Sequence, residues 1–282
     1  MALRAGLIIA APVWLAAQTA PTQSELNCAG YFTRKTVETG LIIQSSEEVG
    51  FKNEFGAGDY VYLNKGKDAI TAPGGLYMVL RPVKDVDQTD IFPGQKLMLK
   101  QMGRLYAEIA RIEVAVLHAH SATARIISSC ESVLTGDIAV PYNAKAAPAY
   151  KSPKFTDRFA PSSGKAMGLI AAAKGFDHWL GEGRIVYLNM GSAQGLQAGS
   201  YLRVVRPYRG GGNADFSDAV ASYPTEMDGV SLARKMTPAE EATLPREVLG
   251  EVMVLKVEEG SATGIITYSR AEVAVGDGVE LE

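Results

Sequence analysis

The chain has 282 residues, of which 47% are hydrophobic and 21% are charged, and its formal net charge is -3. This is enough apolar material for one large core or two modest ones. No basic stripe is present, which argues against nucleic-acid binding. No basic amphipathic helix is present either, which argues against binding to an anionic membrane surface.

The N-terminus has the three-part layout of a secretory signal peptide. A short positive start, Met1–Arg4, is followed by an apolar run, Ala5–Ala17, and then by polar residues from Gln18 onward. The run is shorter than the roughly 20 residues that a bilayer span needs, so we expect no transmembrane span in the mature chain. Residues 1–19 are therefore predicted to direct export to the periplasm or cell surface. The alternative is a buried N-terminal strand or helix.

The chain has two cysteines, Cys28 and Cys130. In an exported protein an even number of cysteines favours a disulfide, which would tie the start of the mature chain to the end of the first module. Two free thiols are an alternative. A lipid anchor on Cys28 is disfavoured, because the preceding residues, Ser24–Asn27, are polar and lack the expected apolar run.

The sequence contains an internal repeat. Gly58–Gly66 aligns without gaps with Gly183–Gly191, and the alignment continues to an Arg-Pro pair in each copy. The further matched segments are Gly40–Ile42 with Gly168–Ile170, Ala107–Val114 with Gly250–Val257, Ser121–Thr123 with Ser261–Thr263, and Gly136–Asp137 with Gly276–Asp277. The pattern predicts two diverged copies of one module.

Each copy has about five or six short β-branched and aromatic runs separated by glycine-rich turns, which is typical of a small barrel or sandwich. The predicted fold class is all-β with minor helix, as two tandem small β-barrel-like modules from an internal duplication. The helix candidates are 95–104 and a segment capped by Thr237. The predicted segments are a signal peptide (1–19), a lead-in (20–39), module 1 (40–142), a linker rich in Pro, Ala and Ser (143–167) and module 2 (168–282).

The linker is predicted to be extended, which would leave the modules semi-independent unless a shared interface joins them.

The repeated pattern Gly-x-x-Val-Tyr-Leu-Asn-x-Gly, followed by Val-x-Arg-Pro and Gly-Asp, resembles the C-terminal domain of flagellar assembly protein T. It also resembles modules of uncharacterised exported proteins of environmental bacteria, some of which carry peptidoglycan-binding LysM segments. The resemblance covers both modules and implies the fold. It implies no catalytic residue, and neither a LysM segment nor a further N-terminal domain before Gly40 is recognised here.

Chemistry-bearing motifs are scarce. His118 and His120 would share one face of a strand and are weak candidates for a metal site, with a hairpin tip as the plain alternative. The adjacent glutamate pairs point apart in a strand and do not form an acid/base dyad. We therefore expect no catalytic residue, no metal and no cofactor, and a protein that is not an enzyme.

Two segments are candidates for a binding surface. Tyr208 and Arg209 precede a glycine run, and such loops often carry binding groups, although a plain connection is the alternative. Phe176 and Trp179 lie in an aromatic turn that could stack on sugar rings or anchor a partner, or that could instead plug the barrel.

The sequence favours an exported, non-enzymatic structural or adaptor protein of the bacterial cell envelope that binds other envelope proteins. The alternatives are a module that binds peptidoglycan or another polysaccharide, and a metal-dependent enzyme using His118 and His120.

Overall fold

A computed structural model of the protein describes residues 20–47, 52–84, 86, 91–144, 146–151, 157–206, 237–241 and 243–282. Strands dominate these residues and helices are short, so the predicted all-β class with minor helix is confirmed.

The first barrel is a curved sheet with the strand order β2-β3-β6-β5-β4-β7. A bridge between Ile42 and Ile138 brings its two ends together. Its strands are β2 (Ile43–Ser46), β3 (Tyr60–Leu63), β4 (Leu76–Pro82), β5 (Arg104–Leu117), β6 (Ala122–Ser129) and β7 (Ile138–Pro141). Along β3, Val61 and Leu63 are fully buried inside the barrel, so the alternate side chain, Tyr62, faces outward.

The second barrel is closed and has the strand order β10-β13-β12-β11-β15-β8. Its strands are β8 (Met167–Ala173), β10 (Ile185–Leu188), β11 (Tyr201–Arg206), β12 (Glu247–Val257), β13 (Ala262–Ser269) and β15 (Gly278–Leu281). Each strand has a counterpart in the first barrel, and the cyclic order of the counterparts is the same. A separate ribbon pairs β9 (Trp179–Leu180) with β14 (Val273–Ala274).

Three short helices lie in the described residues, and side chains cap the first and the third of them. They are α1 (Gln23–Asn27), α2 (Gln95–Met102) and α3 (Pro238–Glu241). Thr237 and Glu240 form the predicted capping box at α3, since each side chain accepts a hydrogen bond from the other residue's backbone N–H. The predicted helix 95–104 ends two residues early, because Gly103 adopts a positive φ of 104°. The described residues also include two 3₁₀ turns, Lys174–Phe176 and Ser192–Gln194.

Hydrogen bonds show that one part of the predicted repeat alignment is wrong. The N–H of Gly74 donates to the carbonyl of Val114, and the N–H of Gly199 donates to that of Val254. Val114 therefore corresponds to Val254 rather than to Val257, a shift of three residues. The hairpin that follows these strands was matched correctly, since Ser121 and Ser261 accept the N–H of His118 and Glu258 respectively. Within the strands, Gly250 of the second copy has Ala110 as its counterpart in the first, so no shared glycine marks the register, and β-bulges interrupt both strands.

The match at the first strand of each module is also wrong, by one residue. Ile43 donates its N–H to the carbonyl of Asp137, and Ile170 donates its N–H to that of Asp277. Ile43, not Ile42, is thus the counterpart of Ile170. A one-residue slip exchanges the inward and outward faces of a strand, so the register decides which side chains reach the core.

The repeated Arg-Pro and Gly-Asp motifs build one ion pair in each barrel. Arg81 donates two hydrogen bonds to Asp137, at 2.8 and 2.7 Å. Arg206 does the same to Asp277, at 2.7 and 2.6 Å. Each aspartate also accepts a backbone N–H three residues before it, which closes a turn. The most recognisable residues of the repeat are therefore structural.

Candidate functional site

The two barrels are in direct contact, and the lead-in segment (residues 20–39) lies between them. Its strand β1 (Tyr31–Thr33) pairs antiparallel with β5, with Tyr31 opposite Tyr106. Its other side packs on the second barrel, where Leu26 and Ala29 are buried against Met253, Leu255 and Ile265. The lead-in segment therefore belongs to both barrels, and the contact region it fills is called the joint below.

The lead-in segment is covalently attached to the first barrel. Cys28 and Cys130 form the predicted disulfide, with their Cα atoms 5.5 Å apart. The alternatives of two free thiols and a lipid on Cys28 are therefore wrong. Lys174 of the second barrel donates a 2.7 Å hydrogen bond to the carbonyl of Cys28, so the disulfide lies where both barrels meet.

Three hydroxyl groups of the second barrel bind the backbone of the lead-in segment. Tyr187 donates to the carbonyl of Ala29 at 2.9 Å. Thr263 donates to the carbonyl of Gly30 at 3.0 Å, and Ser261 to that of Phe32 at 2.9 Å. We call Tyr187, Thr263 and Ser261 the hydroxyl row. It satisfies carbonyls that would otherwise be buried without a partner, which is costly.

A buried ion pair crosses the joint. Lys256 of the second barrel contacts Glu108 of the first, and the side chains are only 5% and 7% exposed. Glu108 also accepts the N–H of Gly30 at 3.0 Å. Burial, with the charge of Glu108 as a second cause, raises the pKa of nearby Tyr31 to about 12. Removing one member of such a pair leaves an uncompensated buried charge, so the pair strongly disfavours separation of the barrels.

The sequence analysis did not identify this pair, because its members lie 148 positions apart in the chain. Charged residues are almost never fully buried unless they are paired, but both strands hold other charged residues, so the sequence does not show which of them are buried.

A second contact comes from the segment between β4 and β5. Phe92 joins the core cluster of the second barrel. The buried side chain of Gln95, at the start of α2, donates to the carbonyl of Ala171 at 2.8 Å. Leu99 and Met102, on the same helix, pack with Ala171, Ala172 and Tyr187. The first module thus caps part of the second barrel.

The described part of the linker is bound along the second barrel. The N–H of Lys151 donates to the Tyr201 hydroxyl, and its ammonium group pairs with Glu251 and Glu282. Farther along, the carbonyl of Arg158 accepts the N–H of Val248. The modules are therefore not semi-independent, because the lead-in, α2 and the linker all connect them.

An open cleft lies between the barrels beside the disulfide. Its volume is about 960 Å³, within the range of small-molecule and peptide sites. Three basic side chains that line it are already paired: Arg81 with Asp137, Arg184 with Asp177, and Lys174 with the carbonyl of Cys28. The cleft therefore offers apolar surface rather than free charge at these positions.

Phe176 lines this cleft and its side chain is 47% exposed. Its backbone φ is 59°, the only positive φ at a non-glycine position in the described residues. For a bulky side chain this conformation is strained, and such strain clusters at functional sites.

Trp179 is three residues from Phe176, on β9, and is 56% exposed. The expectation that Phe176 and Trp179 plug the barrel is wrong. The neighbouring Leu180 enters the core of the second barrel instead, at 3% exposure. Since successive strand residues point to opposite faces, burial of Leu180 places Trp179 at the surface.

His118 and His120 lie at an exposed hairpin tip after β5, as the plain alternative predicted. His118 Nε2 is 2.9 Å from the hydroxyl of Thr123. Among the described residues no group of three or more His, Cys, Asp or Glu side chains is arranged to bind a metal.

Some predicted features cannot be placed in this site. Tyr208, Arg209 and the predicted signal peptide lie outside the described residues. No helix in the described part of the chain is long and apolar enough to cross a membrane.

No known family matches the sequence, and no curated protein does.

Proposed function

We propose that this protein is an exported, non-enzymatic adaptor of the bacterial cell envelope that binds other envelope proteins through the cleft and its aromatic rim, Phe176 and Trp179. The disulfide supports the compartment, because disulfides persist mainly in oxidising environments. The signal-peptide pattern of residues 1–19 supports export.

The observation that carries the proposal is the strained, half-exposed Phe176 beside a cleft between two fixed barrels. Exposed aromatic side chains are the commonest energetic anchors of protein interfaces. A rigid scaffold lowers the entropic cost of presenting them, since the joint is ordered before a partner binds.

The test compares three forms of the mature protein as bait for native envelope extract. Wild type should capture a discrete partner, and the Phe176→Ala/Trp179→Ala variant should lose it. Phe159→Ala is the matched control, because Phe159 is an aromatic residue of similar exposure, 51%, outside the cleft lining. Equal capture by all three forms would contradict the proposed surface, and fractionation that finds the protein in the cytoplasm would contradict export.

A peptidoglycan or polysaccharide ligand is the second candidate, and the exposure of Trp179 favours it. Aromatic faces stack on sugar rings, and the Asp177–Arg184 pair beside it supplies polar groups.

Co-sedimentation with purified sacculi distinguishes this candidate. Saturable pelleting that is lost in Trp179→Ala and kept in Phe159→Ala would support glycan binding. Protein that stays in the supernatant would exclude peptidoglycan as the ligand.

A further inference from the structure

The hydroxyl row of the second barrel is repeated on the first barrel. The cross-strand pair Tyr187 and Thr263 has its counterpart in the cross-strand pair Tyr62 and Thr123. Ser261 has its counterpart in Ser121, since each accepts the backbone N–H at the same place in its hairpin, from Glu258 and His118 respectively. Six hydroxyls thus form two equivalent rows on two equivalent barrels.

The two rows differ in what they contact. On the second barrel all three hydroxyls donate to carbonyls of the lead-in segment. On the first barrel, within the described residues, the hydroxyl of Thr123 forms a hydrogen bond with His118 alone. The hydroxyls of Tyr62 and Ser121 have no hydrogen-bond partner there. Val116, which stands where the second barrel has Lys256, is 49% exposed.

We infer that the row formed by Tyr62, Thr123 and Ser121 binds an extended polypeptide segment of a partner protein through its backbone carbonyls. The argument is the geometry of the second barrel, where the same three residue types at the same register positions bind residues 29–32 in this way. This surface is separate from the cleft, so the inference does not depend on the function proposed above.

The lead-in segment shows which side chains such a segment needs. Gly30 has a φ of 70°, and a Cβ there would lie 2.9 Å from the carbonyl oxygen of Tyr106 and 3.0 Å from the Tyr187 hydroxyl, so the smallest residue, glycine, belongs there. Two residues later, Phe32 packs edge-on against the Tyr187 ring, with centroids 5.4 Å apart. The bound segment should therefore have a small residue followed, two positions on, by an aromatic residue.

The surface beside the row sets a second requirement. Where the second barrel buries Met253, Leu255 and Ile265 under the lead-in, the first barrel has Glu113, Ala115 and Arg125. These three side chains are exposed. An apolar flank like Leu26 would lose its support there, so the partner segment should be polar or charged before its small residue.

The test uses a capped synthetic peptide that copies residues 29–35, Ala-Gly-Tyr-Phe-Thr-Arg-Lys, without the apolar flank. Benzoylphenylalanine replaces the phenylalanine, and the peptide is photo-crosslinked to the full oxidised protein. Mass spectrometry should place the cross-links within 60–64 or 121–125. The Tyr62→Phe/Thr123→Val variant should bind about tenfold more weakly, since two hydrogen bonds are lost.

Tyr60→Phe is the matched control, because it removes a hydroxyl from the same outer face of β3 but not from the row. It should bind as wild type does. A peptide with valine in place of its glycine should not cross-link. Cross-links on the second barrel, or binding that Tyr62→Phe/Thr123→Val leaves unchanged, would overturn the inference. Each single variant, Tyr62→Phe and Thr123→Val, should give an intermediate loss, so misfolding of the double variant could not produce the result alone.

Discussion

The ion pairs within the two barrels are repeated in both copies, whereas the ion pair that joins the barrels is not. Arg81 with Asp137, and Arg206 with Asp277, are repeated at equivalent positions with nearly the same distances. Each stabilises a turn within its own barrel. Such residues recur because both copies form the same turn, which the aspartate closes.

The ion pair of the joint is not repeated. The position equivalent to Lys256 is Val116 in the first barrel, and the position equivalent to Glu108 is Val248 in the second. Each barrel thus carries one charge where its counterpart carries valine. This divergence makes each module complementary to the other rather than to itself, which favours pairing of unlike modules over pairing of like ones.

The largest expected loss of stability comes from removing the ion pair of the joint. In Lys256→Met, Glu108 is left buried without its lysine, and we expect the free energy of unfolding to fall by about 3–5 kcal/mol. Urea denaturation measures this. Lys35→Met is the control, because Lys35 is 76% exposed in its pair with Glu258 and solvent screens that pair, so this change should cost far less stability than Lys256→Met.

A double variant sharpens the same test. Lys256→Met combined with Glu108→Gln should recover most of the lost stability, since no uncompensated charge remains and the amide oxygen can still accept the N–H of Gly30. Equal losses in Lys256→Met and Lys35→Met would show that the buried pair does not join the barrels.

The next largest effect comes from the disulfide. Cys28→Ser/Cys130→Ser should lower the free energy of unfolding by about 2–4 kcal/mol, since the bridge closes a long loop. Hydrogen exchange should accelerate first at the N–H of Gly30, which lies next to the bridge in the joint. Reductant should affect the wild type and leave the double variant unchanged; a wild type insensitive to reduction would contradict this account.

A smaller effect tests the repeated pairs. Asp137→Asn and Asp277→Asn should each cost about 2 kcal/mol, because each weakens a bidentate, charge-assisted contact. The two losses should be similar, since both aspartates are buried and have equivalent partners. Glu131→Gln is the control, because this exposed side chain is 3.8 Å from Arg81 and contributes little. Unequal losses would show that the copies have diverged in their turns as well.

The contrast between repeated and unique residues also explains what the sequence could predict. Glycine and Asp punctuation marks turns, so the all-β class, the strand count and the capped α3 were accessible. The paired cysteines were accessible from their even number together with the predicted export. The register of β12 was not, since its glycine, Gly250, lies within the strand rather than at a turn, and its counterpart in β5 is Ala110.

The joint was not predictable from local pattern. Lys256 and Glu108 lie far apart in the chain, and only the packed barrels bring them together. The exposure of Trp179 likewise depends on a two-residue ribbon that is too short to give a periodic signal.

The smallest effect concerns the attachment of the linker. Burial would raise the pKa of Glu280, but hydrogen bonds from Arg246, Ser162 and Ser163 outweigh it and lower the pKa to about 2, from an ordinary value of 4.5. A lowered pKa means that this contribution is complete above pH 4.5 and is lost as the pH falls through 2. The protection factor of the Ser163 amide, which donates to Glu280 at 2.7 Å, should fall over that range.

In Glu280→Gln, which cannot ionise, the Ser163 protection factor should be low already at pH 7 and should show no such step. The Gly199 amide, which donates to the Val254 carbonyl, is the internal reference, because no titrating group accepts its hydrogen bond. Equal loss of protection at Ser163 and Gly199 in wild type would mean global acid unfolding, and the carboxylate would then not be what fixes the linker. Loss confined to Ser163 would make the linker the part of the chain that detaches from its barrel first, while the joint remains intact.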